Sequence, residues 1–348
     1  MTKLSAHAHR KDEHVFLAEK FYPTTEQNDF DQLRLVHQSL PEIALDEVDL
    51  TSKLVDKKIA LPFYINAMTG GSPHTLVLNQ QLATIAAAVN IPMASGSQSV
   101  ALKEPALVDS FAVIRQANPH GLVLANLGAD AGLAQAKQAI AMLHADGLQL
   151  HLNTPQEITM PEGEQRFYWL DNIRQLVAAL PVPVIVKEVG FGMSQQTLSQ
   201  LITAGVRHVD LGGRGGTNFV AIENARRSQH ELAYLSDWGQ STVESLLESR
   251  TYQQQLTIYA SGGIRQPLDI VKALALGAQA VGIAGTILHQ LQKNGLAATQ
   301  TMLSDWAKQL RLIFALLGCR SVSDLPQKAE LIFSPQLLSY AAQRHIHL

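Results

Sequence analysis

Short apolar runs recur along the chain, each closing on small or polar residues and followed by a stretch with apolar positions three and four apart. The runs are IALPFYINAMT (59–69), IPMASGS (91–97), GLVLANLGA (121–129), GLQLHLN (147–153), PVIVKEVG (183–190), HVDLGGR (208–214), TIYASGGI (257–264) and AVGIAGTIL (280–288). Between them, NQQLATIAAAVN (79–90), AGLAQAKQAIAMLHA (131–145), DNIRQLVAAL (171–180) and PLDIVKALALGA (267–278) have helical spacing. Pro267 suits a first helical turn and Gly277 a helix end. Strands alternating with helices pair in parallel through right-handed crossovers. Eight such units predict an α/β fold closed into a (β/α)8 TIM barrel. An open doubly wound sheet is the rival, but no strand leads into a G-x-G-x-x-G turn that opens a helix, and GGRGGTN (212–218) has the wrong spacing.

The fourth run sharpens the prediction. Leu148, Leu150 and Leu152 alternate with Gln149, His151 and Asn153. A strand with one wet face reads this way, but a barrel strand has both faces enclosed. An imidazole and two amides inside a barrel need partners or a ligand.

Around the barrel, residues 1–58 are expected to form an N-terminal arm and cap, 59–295 the barrel, and 296–348 C-terminal helices packed on it, including DWAKQLRLIFALLG (305–318). The long connection 215–256 is a candidate lid or site wall.

Composition narrows the function. With 348 residues, 46% hydrophobic and 16% charged, the chain supports a large packed core. A net charge of −3 provides no basic field for nucleic acid. One cysteine, Cys319, excludes an internal disulfide and suits a cytoplasmic protein. No apolar run is long enough to span a membrane, and MTKLSAHAHRKDEH has no signal-peptide core.

In a barrel, the strand ends and the loops after them form the site. Those ends carry Asn66 to Thr69, Ser95 to Gln98, Asn126, His151 and Asn153, Lys187-Glu188, Gly212-Gly213, Ser261 to Arg265 and Gly282 to Gly285. ASGGIR and GIAGT, each before a helix, offer backbone N–H groups to a phosphate. Lys187, set among apolar neighbours, needs an anionic partner, which the reactive edge of a flavin would supply. Glu157 is a candidate Mg²⁺ ligand, since Mg²⁺ takes one or two carboxylates plus substrate phosphates. Arg10, Lys11 and His14 lie on an arm able to fold over the barrel mouth.

These residues together resemble the type 2, flavin-dependent isopentenyl-diphosphate isomerases. The shared stretches run nearly end to end: RKDEH (10–14), NAMTGGS (66–72), SGSQ (95–98), NLGA (126–129), QLHLNTPQE (149–157), VKEVGFGMS (186–194), DLGGRGGTNF (210–219), DWG (237–239), SGGIR (261–265) and GIAG (282–285). The resemblance implies FMN- and Mg²⁺-dependent interconversion of isopentenyl and dimethylallyl diphosphate, with NADPH as reductant, reduced flavin as proton donor, and a homo-oligomer (tetramer or octamer). It implies that FMN is held by Ala67, Met68, Thr69, Ser97, Asn126, Lys187, Thr217, Gly263, Ile264, Arg265, Ala284 and Gly285. It places the substrate against Arg10, Lys11, His14, Gln98, His151, Asn153, Gln156 and Trp238, the last beside the hydrocarbon. His151, Gln156 and Lys187 are the implied catalytic groups, and Glu157 the metal ligand. One departure is Ser99, where members of the family carry Arg, so that one cation is missing or supplied from elsewhere. An FMN-dependent 2-hydroxy-acid oxidoreductase is the alternative on the same barrel, but 257–266 lacks the His base its chemistry uses. A phosphate-binding aldolase with Lys187 as Schiff-base amine, or a non-catalytic binding barrel, would serve fewer of the enclosed polar groups.

Overall fold

In the computed structural model, which describes residues 5–22 and 27–348, eight parallel strands close into a barrel. They are β1 (Phe63–Ile65), β2 (Met93–Ala94), β3 (Val123–Gly128), β4 (Gly147–Leu152), β5 (Val184–Glu188), β6 (His208–Asp210), β7 (Thr257–Ser261) and β8 (Ala280–Ile283). Each pairs with the next, and β8 closes on β1 through Gly282 opposite Tyr64. Every apolar run therefore contains a strand, shorter than its hydrophobicity suggests. The residues beyond Asp210 and Ser261 are turns, which Gly212, Gly262 and Gly263 free to leave the sheet, whereas Ile283 leads through Ala284 into a helix.

Alternation along these strands divides the interior into two cores. Leu148, Leu150, Ala125, Leu127, Val186 and Val209 point outward and pack under the helices. Tyr64, Ala94, Leu124, Ile185, Tyr259 and Ala280 point inward and fill the barrel floor. The floor is sealed from below by a hairpin, Ser52–Leu54 paired with Lys57–Ile59, whose turn residues Val55 and Asp56 have φ of 46° and 63°. Val55 N–H donates to the Tyr259 hydroxyl at 2.9 Å, and His208 Nε2 lies 3.3 Å from Asp56 Oδ2. This hairpin shortens the first strand expected. Ile59 pairs with Ser52 rather than beginning the barrel, and Pro62, which has no N–H to donate, precedes the true strand.

The arm and the tail are tied together by antiparallel pairing of Leu33–Leu35 with Leu331–Phe333. The helical stretch Gly285–Leu316 breaks at Gly295, where φ is 79°. No helix among the described residues is long and apolar enough to cross a membrane.

Candidate active site

A cavity of about 280 Å³ opens at the C-terminal ends of the strands. Its floor is barrel; its roof is the helix Ala6–Lys20, started by Ser5, whose side chain accepts from Ala8 N. Arg10, Lys11, His14, Val15, Ala18 and Glu19 of that helix face the cavity, so the arm does fold over the mouth. Glu13 accepts from Arg226 Nε at 2.9 Å, Asp12 accepts from the Ser72 hydroxyl, and Glu19 lies 2.6 Å from His289 Nδ1. Tyr22 stacks on the His289 ring at 4.1 Å.

The wall opposite comes from two helices. Thr154–Thr159 follows β4 directly and presents Gln156 and Glu157. Phe219–Arg226, capped by Asn218, places Glu223 and Arg226 one turn apart. Glu223 is fully buried and collects Arg226 Nη1 at 2.5 Å, Gln156 Nε2 at 3.0 Å and His14 Nε2 at 2.9 Å. Burial works against its charge, but His14, Gln156 and Arg226 outweigh it and hold the carboxyl at about 2. Arg226 also reaches Glu162, which pairs with Arg10 at 3.2 Å. Sequence reasoning missed Glu223 and Arg226, because nothing local in FVAIENAR marks a buried ion pair.

Inside the mouth a continuous polar chain crosses the barrel. Asp210 accepts from Tyr64 Oη at 3.0 Å, Asn66 Nδ2 at 2.8 Å, Ser261 Oγ at 2.7 Å and Gly212 N at 3.2 Å. Gln149 Nε2 donates to Asn66 Oδ1, and Asn126 Nδ2 to Gln149 Oε1, both at 3.0 Å. His151 Nδ1 lies 2.9 Å from Asn126 Oδ1. The polar face of the fourth run is thus indoors and tied into this chain. Burial first, then Lys187 and Lys11, push the His151 imidazole down to about 3, opposed by the Leu127 carbonyl. Lys11 is lowered to about 8 by burial and by Arg10, against Glu223. Burial also lowers Lys187, countered by Asp210 and Glu188. Lys187 Nζ donates to the Glu188 carbonyl at 3.0 Å, and Glu188 Oε2 accepts from three successive N–H groups, Val189, Gly190 and Phe191, at 2.6–2.9 Å. That arrangement fixes the loop beside the lysine.

The turns after β6 and β7 are packed backbone against backbone. A Cβ on Gly212 would sit 2.0 Å from Glu188 O, and one on Gly262 2.0 Å from Gly213 O. The N–H groups of Gly263, Ala284 and Gly285 have no acceptor among the described residues and border the cavity. Such a cradle fits the phosphate of a flavin mononucleotide, and Lys187 beside it fits the anionic edge of the ring.

Most of the expected site residues line this one cavity: Arg10, Lys11, His14, Ala67, Met68, Thr69, Ser97, Asn126, His151, Asn153, Gln156, Glu157, Lys187, Thr217, Gly263, Ile264, Arg265, Ala284 and Gly285. Two do not. Gln98 is turned away and fully buried. Its Nε2 donates to Ala139 O at 2.9 Å and its Oε1 accepts from Asn126 N at 3.0 Å, so it braces the third strand rather than a substrate. Trp238 is 61% exposed and outside the cavity, because Gly239 (φ 92°) turns the chain against Phe191 and leaves the indole outside. Arg265 borders the cavity, but its guanidinium is committed to Asp31 at 2.7 and 2.8 Å and to Asp269 at 3.1 Å. Ser99 also faces the cavity, its hydroxyl 3.1 Å from that of Ser97. Glu157 Oε1 accepts from Asn153 Nδ2 and Oε2 from Glu164 N, each at 2.8 Å. Among the described residues no three His, Cys, Asp or Glu side chains gather as a metal cage.

Residues 130–331 match the family described as FMN-dependent dehydrogenase. Among solved structures, the chain resembles the recombinant flavin-binding domain of baker's yeast flavocytochrome b2 (TM-score 0.65, 16% identity, covering 97% of this chain and 82% of that one). It also resembles a mutant mandelate oxidase with a monooxide FMN adduct (TM-score 0.61, 16% identity, 92% of each chain). At that identity the likeness is one of fold. In sequence it is 57% identical over 346 residues to the isopentenyl-diphosphate delta-isomerase of Latilactobacillus sakei, covering 99% of each chain. It is 51% identical over 340 residues to that of Lacticaseibacillus paracasei, covering 98% of each. The similarity thus runs nearly end to end, and the chain belongs to the type 2, FMN-dependent isopentenyl-diphosphate delta-isomerase family.

Proposed function

We propose that this protein interconverts isopentenyl diphosphate and dimethylallyl diphosphate, with FMN held at the strand ends and the diphosphate under the arm helix. The observation that carries this is the meeting, in one cavity, of arm cations Arg10 and Lys11, the carboxylate Glu157, and the glycine turns after β6 and β7. FMN would be held by the N–H groups of Gly263, Ala284 and Gly285, by Ala67, Met68, Thr69, Ser97, Asn126, Thr217 and Ile264, and by Lys187. When bound in its reduced form, the flavin supplies the proton donor and the electron-rich surface for the allylic double-bond shift.

The chain's own residues then position and charge-match. Arg10, Lys11 and His151 would face the diphosphate, and Glu157 would supply the one protein carboxylate for a Mg²⁺ bound mainly by phosphates. Gln156, with its Nε2 donated to Glu223, turns its carbonyl oxygen away from that carboxylate, where it suits a developing positive charge. The arm helix excludes water from the cation-like centre. NADPH serves as reductant. Residues 1–58 act as arm and cap, 59–295 as barrel and 296–348 as packing helices, in a cytoplasmic homo-oligomer, a tetramer or octamer.

The test is proton NMR of isopentenyl diphosphate incubated anaerobically in D2O with the protein, FMN, NADPH and Mg²⁺. Dimethylallyl diphosphate bearing solvent deuterium, formed only with reduced flavin, is the expected result. Untouched substrate with flavin-loaded protein overturns the reading.

A further inference from the structure

Amide side chains have two distinguishable ends, and the polar chain across this barrel leaves no freedom in how they point. Asn66 is fixed twice. Its Nδ2 faces the carboxylate of Asp210 at 2.8 Å, and its Oδ1 accepts the backbone N–H of Ala67 at 2.8 Å. Either contact alone orients it, because a carboxylate only accepts and a backbone N–H only donates. With Asn66 Oδ1 facing Gln149, the Gln149 end that meets it must be the NH2. Gln149 Oε1 then meets Asn126, which must present its own NH2 there. Asn126 Oδ1 is left facing His151 Nδ1 at 2.9 Å, and that nitrogen must carry a hydrogen.

We infer that this relay holds His151 as its Nδ1–H tautomer, with Asp210 and Gln149 as positioning residues that act on the cavity without lining it. Gln149 is fully buried, as is Asp210, whose four acceptor contacts are filled by Tyr64 on β1, Asn66 just after it, Ser261 on β7 and the turn after β6. Beyond the relay, the Leu127 carbonyl is a second acceptor beside the ring, and His151 borders the cavity. The neutral ring therefore offers the cavity a lone pair and not an N–H. On the reading that His151 meets the diphosphate, an oxygen is received there only when it brings a proton or when the ring takes one up at Nε2.

The test needs no substrate, so it stands or falls apart from the isomerase reading. FMN-loaded protein with ¹⁵N-labelled histidine is examined by long-range ¹H–¹⁵N correlation, with His151→Gln assigning the signal. The expected spectrum has Nδ1 in the protonated range and Nε2 in the lone-pair range. A ring protonated on Nε2, or one averaging between tautomers, overturns the inference. Gln149→Met cuts the relay while leaving Asp210 and Asn66 in place, and should convert the single tautomer to an averaged signal in protein that still binds FMN. An unchanged tautomer there removes the relay as its cause. Asn126→Asp keeps an acceptor opposite Nδ1 and should restore the single tautomer, which a merely structural role for the amides would not require.

Discussion

Glu223→Gln tests whether the wall of the site is held by a buried charge. In the native protein Glu223 is 0% exposed and meets Arg226, Gln156 and His14. A glutamine of the same shape must aim its NH2 at one of these partners and leave Arg226 Nη1 or Gln156 Nε2 with a weaker acceptor. Losing a charge-assisted contact of this kind costs about 1.5–3 kcal/mol, and breaking a buried pair costs about 3–5 kcal/mol. The carboxyl's own titration gives an independent figure. Held at about 2 against the usual 4.5, it contributes about 3 kcal/mol of stability at neutral pH. The sign follows from the depressed value: the contribution is present above about 4.5 and is lost as pH falls from there toward about 2. Urea unfolding of the FMN-loaded proteins should place the variant about 3 kcal/mol below wild type at pH 7, with the gap narrowing below about pH 4.5. Equal stability at pH 7 within about 0.5 kcal/mol, or a gap independent of pH, would refute the reasoning.

Four further outcomes are expected. kcat/KM should fall as pH rises through about 8, where Lys11 loses its proton, and Lys11→Arg should move that fall upward; a pH profile indifferent to the substitution takes Lys11 out of diphosphate binding. Lys187→Met should lower the reduction potential of the bound flavin, read by spectroelectrochemistry, because it removes the buried cation beside the anionic edge; an unchanged potential denies that contact. Glu157→Gln should raise the Mg²⁺ concentration for half-maximal activity roughly tenfold or more, the effect of one charged contact of about 1.5–3 kcal/mol, and an unaltered Mg²⁺ titration excludes it as a ligand. Gly212→Ala puts a methyl 2.0 Å from Glu188 O at a φ of 46°, so FMN affinity measured by fluorescence titration should drop by about tenfold or more; native affinity means the turn can relax.

Much of this architecture was legible in the chain because barrel strands are apolar on one face and chemically unusual on the other. Gln149 and His151 point inward as their alternation with Leu148 and Leu150 requires. Gln98 shows the limit. Position at a strand end makes a polar residue a candidate, yet only tertiary packing reveals that its amide is consumed by Ala139 and Asn126. Trp238 misled for a related reason, since an aromatic in a long loop carries no sign of which way a glycine turn will face it. Asp210, inside DLGGRGG, stood beside the glycines that drew attention to the motif. Its importance comes from Tyr64, Asn66 and Ser261, which arrive from strands far away in sequence.

The cavity has two authorships in the chain. Its floor is written by the strand ends and the turns after them, while its roof comes from residues 10–22, fastened by Arg226, Ser72 and His289. Changes to the arm can therefore alter what the floor is shown without disturbing the floor itself. The contacts of Glu13, Asp12 and Glu19 are where the two parts of the cavity are most readily uncoupled.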